Sequence, residues 1–217
     1  MTEQTINQLV ANELVAQRLA VTKQYLDVHQ VLYKKGIPVI ERITPPDSEG
    51  IIKAYLPVQG EKFYLVFYLD ANTGGLNGLS TEAWNRVYLR ATSSTLSASE
   101  LAAFTTLQPS DQWSKGDARR KGQGVYSFSS ISFLPNPEPD TFEHKLSKLL
   151  EFLEQDANGV QRLVEQADCG ITVAIDMHNG NGMLGGPFID ARNIKRMAAL
   201  DLDIEFDLYA TGNAFKE

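Results

Sequence analysis

The sequence predicts an α+β fold: a mostly antiparallel sheet with helices packed on one face, preceded by a long N-terminal helix and a β-hairpin. Three observations carry this expectation. Residues 5–35 contain no Pro or Gly and place apolar side chains at helical spacing. Two apolar runs flank Gln59-Gly60-Glu61 as the arms of a hairpin. From residue 84 onward, strand-like and helix-like periodicities alternate.

In the first of these segments, Ile6, Leu9, Val10, Leu14, Val21, Tyr25, Val28 and Leu32 form the helical stripe, which Val15, Leu19 and Leu26 broaden. Lys34 and Lys35 suit the negative end of the helix dipole, Gly36 is a ready C-cap, and Pro38 forbids continuation. Such a helix is expected to dock on its own domain, with dimerisation through it as the alternative. After the turn-rich residues 44–50, the hairpin arms are Ile51 to Val58 and Lys62 to Leu69. In the second arm Phe63, Leu65, Phe67 and Leu69 alternate with Tyr64, Val66 and Tyr68, so both faces are apolar and the strand should lie inside a sheet. The glycine-rich loop 72–78 suggests an N-terminal piece over 1–85, an α+β domain over 86–212, and a tail at 213–217.

Within the larger piece a strand is expected from Trp84 to Thr92, then a helix from Ser97 to about Thr106 whose Ser97 and Glu100 make a capping box. Residues 110–124 are polar, basic and glycine-containing, and Val125 to Phe133 reads as a strand. Pro135, Pro137 and Pro139 read as an extended linker. Asp140, with Glu143 three residues on, is expected to cap a helix whose stripe is Phe142, Leu146, Leu149, Leu150 and Leu153, interrupted at Asn158-Gly159. A strand over Ile171 to His178 should point Ile171, Val173, Ile175 and Met177 inward and Thr172, Ala174, Asp176 and His178 to solvent. A glycine-rich loop, a helix over Asp190 to Leu200 and a strand over Leu202 to Tyr209 complete the chain.

The chain has 217 residues, 43% hydrophobic and 22% charged, enough to build a core without disulfides or metals. Cys169 is the single cysteine and cannot form an internal bridge. No run approaches the roughly 20 apolar residues of a membrane span, and no basic region followed by an apolar run opens the chain, so a cytoplasmic protein without membrane contact is expected. Net charge is −7 but uneven: residues 86–137 carry +3 and residues 138–217 carry −8. That acidity disfavours nucleic acid and favours a basic partner.

No motif commits the chain to a reaction. Gly180-Asn181-Gly182-Met183-Leu184-Gly185 spells the dinucleotide fingerprint, but Gly186-Pro187 delays the helix to about Asp190, too late for its amide groups to meet a pyrophosphate. His29, His144 and His178 are scattered, and a single Asp176 beside His178 is too few ligands for zinc. Hydrolase, phosphate-loop and helical zinc motifs are absent. No catalytic residue, metal or cofactor is therefore assigned. Trp113, Lys115, Asp117, Arg119 and Arg120 are candidates for holding a small anion or other ligand, with Asp117 expected to pair with the cations. The last strand must bury Leu202, Ile204, Phe206 and Leu208, which aligns Asp203, Glu205 and Asp207 on its other face. With Asp176 and His178 they are the candidates for binding a partner.

Arg90-Ala91-Thr92-Ser93, Leu96-Ser97 with Glu100-Leu101, Leu107-Gln108-Pro109 and Trp113-Ser114-Lys115-Gly116-Asp117 occur in an order that resembles a bacterial family, domain of unknown function number forty-two seventy-nine. The paired leucines at Leu149-Leu150-Glu151, and Ala198-Ala199-Leu200 before the closing strand Leu202 to Tyr209, fit the same family. The resemblance covers roughly residues 86–211. It implies no activity, cofactor or catalytic residue; it implies a setting among small bacterial proteins that include immunity proteins, which neutralise a companion toxin by binding it. The expectation is a non-enzymatic module that binds a protein partner, a basic toxin. The alternatives are a small-anion or metabolite binder or enzyme built on Trp113–Asp117 and the Gly180–Gly186 loop, and an assembly protein dimerising through the N-terminal helix.

Overall fold

The computed structural model describes residues 1–180 and 186–215. By their contacts these fall into two units. The first holds Met1–Trp84 with the described parts of 175–185 and 208–217; the second holds Asn85–Ala174 and Gly186–Asp207.

In the first unit, α1 (Glu3–Ala16) is capped by Thr2, whose Oγ1 accepts from the Thr5 amide at 3.2 Å. It buries Ile6, Val10 and Leu14. The helix stops at Gln17, which sits in the left-handed region at φ 46°, and α2 (Ala20–Leu26) starts afresh. One helix over 5–35 is therefore not what forms, and the reason is Glu13. Only 5% exposed, its carboxylate accepts from the Leu19 amide at 2.9 Å and from Thr22 Oγ1 at 2.7 Å. A continuous helix would carry residue 19 about 9 Å along the axis from residue 13, out of reach. Gly36 does not cap a helix either. Lys35 and Gly36, at φ 53° and 79°, make the two-residue turn between β1 (Tyr33–Lys34) and β2 (Ile37–Pro38), and positive φ at both positions is what such a hairpin needs.

β3 (Arg42–Ile43), β4 (Ile51–Pro57), β5 (Phe63–Asp70) and β6 (Leu76–Ser93) pair antiparallel in that order, with Ala54 opposite Phe67 and Phe67 opposite Leu79. The period of two sorts the side chains. Ile52, Ala54 and Leu56 join Phe63, Leu65, Phe67 and Leu69 and the stripes of α1 and α2 in one core, while Tyr55, Tyr64 and Val66 cluster with Tyr68 and Trp84. Beside that second cluster the Glu82 carboxylate accepts from Lys53 Nζ, Tyr55 OH and Tyr68 OH at 2.6, 2.8 and 3.0 Å. β6 begins eight residues before the strand expected at Trp84, which shortens the expected 72–78 loop to a turn around Gly74.

In the second unit, β6 pairs with β8 (Ser129–Phe133) and β8 with β7 (Asp111–Trp113). The capping box of α3 (Ala98–Ala102) forms as read: Ser97 Oγ accepts from the Glu100 amide and Glu100 Oε2 from the Ser97 amide. The helix is shorter than expected. α4 (Phe142–Leu153) is capped by Thr141 rather than Asp140. Asp140 instead accepts from Asn136 Nδ2, the Thr141 amide and His144 Nδ1. Lys145 is 2% exposed and donates to the carbonyls of Asn136 and Glu138 at 3.0 and 2.6 Å, so the proline-rich stretch is strapped to α4 and is no free linker.

A 3-10 turn at Glu154–Asp156 leads into α5 (Ala157–Gln166), placing the break ahead of Asn158-Gly159. Asp156 caps α5 through the Gly159 amide and accepts from the Thr106 amide at 2.6 Å, Thr105 Oγ1 at 2.9 Å and Thr106 Oγ1 at 3.0 Å. These donors, the Thr106 amide foremost, hold its carboxyl down at about 2. β9 (Asp168–His178), α6 (Ala191–Ala199) and β10 (Ile204–Thr211) follow, and the strand order ends β6, β9, β10. The amide of Ile171 donates to Asp203 O and that of Asn179 to Thr211 O. The offset is the same in both bonds, so β9 and β10 run parallel and α6 is their crossover. The sheet is mostly antiparallel with this one parallel pair at its edge.

Two outcomes are expected. Glu13→Ala orphans the Leu19 amide and the Thr22 hydroxyl and should lower the unfolding free energy by about 1–3 kcal/mol, read by urea denaturation. Asp156 binds its proton more weakly folded than unfolded, so its contribution is complete above about pH 4 and is lost as pH falls toward 2. Thermal melts of Asp156→Asn should show a flatter decline over that window than the parent.

Candidate functional site

The second unit carries a cleft assembled from three strands. β6 contributes Arg90 and Thr92, the start of β9 contributes Asp168, Cys169 and Thr172, and the chain entering β10 contributes Asp203 and Glu205. Its volume is about 270 Å3. A neighbouring lobe of about 720 Å3 shares Arg90, Thr92 and Asp168 and adds Phe128 and Glu165. Local sequence explains the arrangement. Leu202 is buried and anchors the approach to β10, and the strand period then turns Asp203 and Glu205 outward on either side of Ile204. Gly170 lies against the main chain of Asp203, where a Cβ would stand 3.4 Å from the carbonyl oxygen, an ordinary van der Waals contact.

The cleft is acidic. Asp168, Asp203 and Glu205 line it with one cation, Arg90, and Glu165 lines the neighbouring lobe; the Arg90 guanidinium lies 5.5 Å from the centre of the Phe128 ring. Among the described residues no ion pair joins Arg90 to any of these carboxylates. Glu205 accepts from Thr172 Oγ1 at 3.0 Å and Asp168 from Thr92 Oγ1 at 3.5 Å, neutral donors that leave the negative charge uncompensated. The Cys169 thiol is pushed up to about 12, by burial first and by Asp168 second, so it stays protonated at neutral pH and is no nucleophile. Among the described residues no group of three or more His, Cys, Asp or Glu could hold a metal ion.

Two of the acidic residues singled out from the sequence, Asp203 and Glu205, meet in this cleft, and Asp207 is exposed one step further along β10. Asp176 and His178 do not belong with them. They are 3% and 1% exposed, because β9 is an inner strand with consecutive residues buried on both faces, and neither can present a surface to a partner. Asp176 lies 3.9 Å from Lys62 Nζ, and burial raises its pKa against the pull of that lysine. Leu208, expected in the core, is 54% exposed on the edge strand.

In the basic segment Lys115, Arg119 and Arg120 each have a hydrogen-bond acceptor at hand, and only Arg120 is ion-paired among the described residues. Lys115 Nζ donates to Ser94 O, Arg119 Nε to Val125 O, and Arg120 pairs with Asp111 and donates to Gln112 O. Asp117 accepts from the Ser114 amide rather than from a cation. Trp113 stacks on Tyr126 at 4.8 Å. The other half of that expected site, the loop at Gly180–Gly186, lies at 181–185 outside the described residues. Sequence reasoning passed over Arg90, Thr92 and Asp168, since three strands far apart in the chain have to meet before they become neighbours.

Residues 82–211 match the family described as Domain of unknown function (DUF4279), which is more than half of the chain. The chain belongs to the DUF4279 family. Every residue lining the cleft lies within the DUF4279 stretch, whereas α1, α2 and β3–β5 lie outside it. Neither the curated proteins nor the solved structures contain a match to the chain.

A thiol held this high should react with iodoacetamide at pH 8 at least about a hundredfold more slowly than free cysteine, whose pKa is near 8.5. Mass spectrometry of the alkylated native protein measures it, and complete unfolding in urea should restore the ordinary rate.

Proposed function

We propose that this chain is a binding protein that captures a cationic protein partner at the acidic cleft between β6, β9 and β10, as an immunity protein neutralises a basic toxin in the bacterial cytoplasm. The observation that carries this reading is the charge of the cleft: three carboxylates against one arginine, with a fourth carboxylate, Glu165, in the neighbouring lobe and no ion pair between Arg90 and any of them among the described residues. Uncompensated carboxylates at an open edge make the potential there more negative, speed capture of a positive partner and reject acidic ones. The surrounding chain adds to the field, since residues 138–217 carry −8. The chemistry of the lining also suits binding better than turnover, because its one thiol is held protonated. The stripe of α1 is absorbed in its own core, which weakens dimerisation through that helix as the main role.

The test is co-purification from host lysate with the parent protein and with a variant carrying Asp168→Lys, Asp203→Lys and Glu205→Lys, both checked for folding by circular dichroism. A stoichiometric basic protein retained by the parent and bound at least about tenfold more weakly by the variant supports the reading, as does a steep loss of binding with added salt. Equal retention by both removes the cleft as the docking site.

A further inference from the structure

The first unit buries two histidines against each other. His29, after α2, is 8% exposed, and His178, the last residue of β9, is 1% exposed. Their Nε2 atoms are 2.8 Å apart, and the main-chain oxygen of Asn213 is 3.1 Å from Nε2 of His178. Asn213 is held from its other end as well, its Nδ2 donating to Val28 O at 3.1 Å. Rings of Tyr25, Phe63 and Phe215 surround His178 at centroid distances of 5.7, 4.8 and 5.0 Å. Two glycines allow this packing. A Cβ on Gly212, at φ 87°, would stand 2.7 Å from Phe63 and 3.0 Å from His178, and one on Gly180 would overlap the His178 ring.

Two nitrogens at this separation share one hydrogen bond, and one bond holds one proton. Either Nε2 can donate, but both cannot, because facing N–H groups repel. An added proton has to sit on an Nδ1, and that of His178 is buried with no hydrogen-bond partner among the described residues. A further proton requires the rings to part. Burial, and then the neighbouring His178, hold His29 below its ordinary 6.5; the facing groups that favour its charge are Glu61, from the turn after β4, and the Asn213 carbonyl. Tyr25, from α2, also packs its ring against His178. With His29 depressed, the folded unit binds fewer protons than the unfolded chain below about pH 6.5. The stabilisation is therefore complete above that pH and lost as pH falls through it.

We propose that His29 and His178 form an acid-sensitive latch that fastens Asn213–Phe215 to the rest of the first unit at neutral pH and releases it when both rings carry a proton on Nε2. The latch is independent of the cleft and of the partner proposed for it. A bound zinc ion is the competing explanation for two convergent Nε2 atoms, although nitrogen–zinc bonds of about 2.0 Å would need the pair further apart than it is, with further donors.

The experiment follows the full chain from pH 7.5 to 5.0 by imidazole NMR and by hydrogen exchange at residues 212–215, corrected for the intrinsic pH dependence of exchange. Exchange rising at least tenfold, with a midpoint that coincides with the imidazole titration, is the expected result. His29→Gln keeps a donor for His178 but takes no charge, and should reduce the rise to less than threefold. Should that variant fail to fold, the parent titration decides alone. Exchange unchanged within twofold, a rise that does not coincide with the imidazoles, or an equal rise in His29→Gln overturns the latch. So does stoichiometric uptake of zinc by the parent at pH 7.5 that is lost in His29→Gln, which would make the pair a metal site.

Discussion

Burial of β9 on both faces is the constraint that places most of the chemistry in this protein. An inner strand has no wet side, so each polar residue on it must find a partner, pack against rings, or sit at an end where cover stops. Asp168, at the strand start, reaches solvent and helps to make the cleft acidic. Asp176 and His178 are enclosed, one near Lys62 and the other against His29 and three aromatic rings. The parallel pairing with β10 follows from the α6 crossover and puts Asp203 and Glu205 beside the exposed start of β9.

A second theme is the use of charged side chains to close turns. Glu13 draws Leu19 and Thr22 back onto α1, Asp156 gathers donors from the segment after α3 onto the start of α5, and Lys145 ties two carbonyls of the proline-rich stretch to α4. Each of these residues replaces several water contacts with fixed donors or acceptors, and loss of one partner strands the others. The charged residues of helices are commonly read as solvated surface, and here they set where helices end.

The two polar centres differ in kind. The cleft gathers like charges at the surface, and the proposed capture of a cationic partner rests on them. The histidine pair lies among aromatic rings, and burial opposes ionisation of His29. The first carries the proposed capture, the second the proposed response to pH. The family match covers the cleft and stops short of His29, so the residue that completes the pair comes from the part of the chain outside the matched stretch.

What the sequence determined by itself was whatever depends on near neighbours. The hairpin around Gly60, the alternation along β5, the capping box at Ser97 and Glu100, and the outward row Asp203, Glu205, Asp207 all rest on period and local hydrogen bonding within a few residues. The α+β class followed from the order of those periods. The end of α1 at Gln17, the burial of Asp176 and His178, and the meeting of Arg90 with Asp168 and Glu205 were decided only in the tertiary structure. An alternating strand reads the same whether one face or both are covered, and cover comes from chain distant in sequence. His29 and His178 stand 149 residues apart, and no local pattern carries the information that one hydrogen bond joins them.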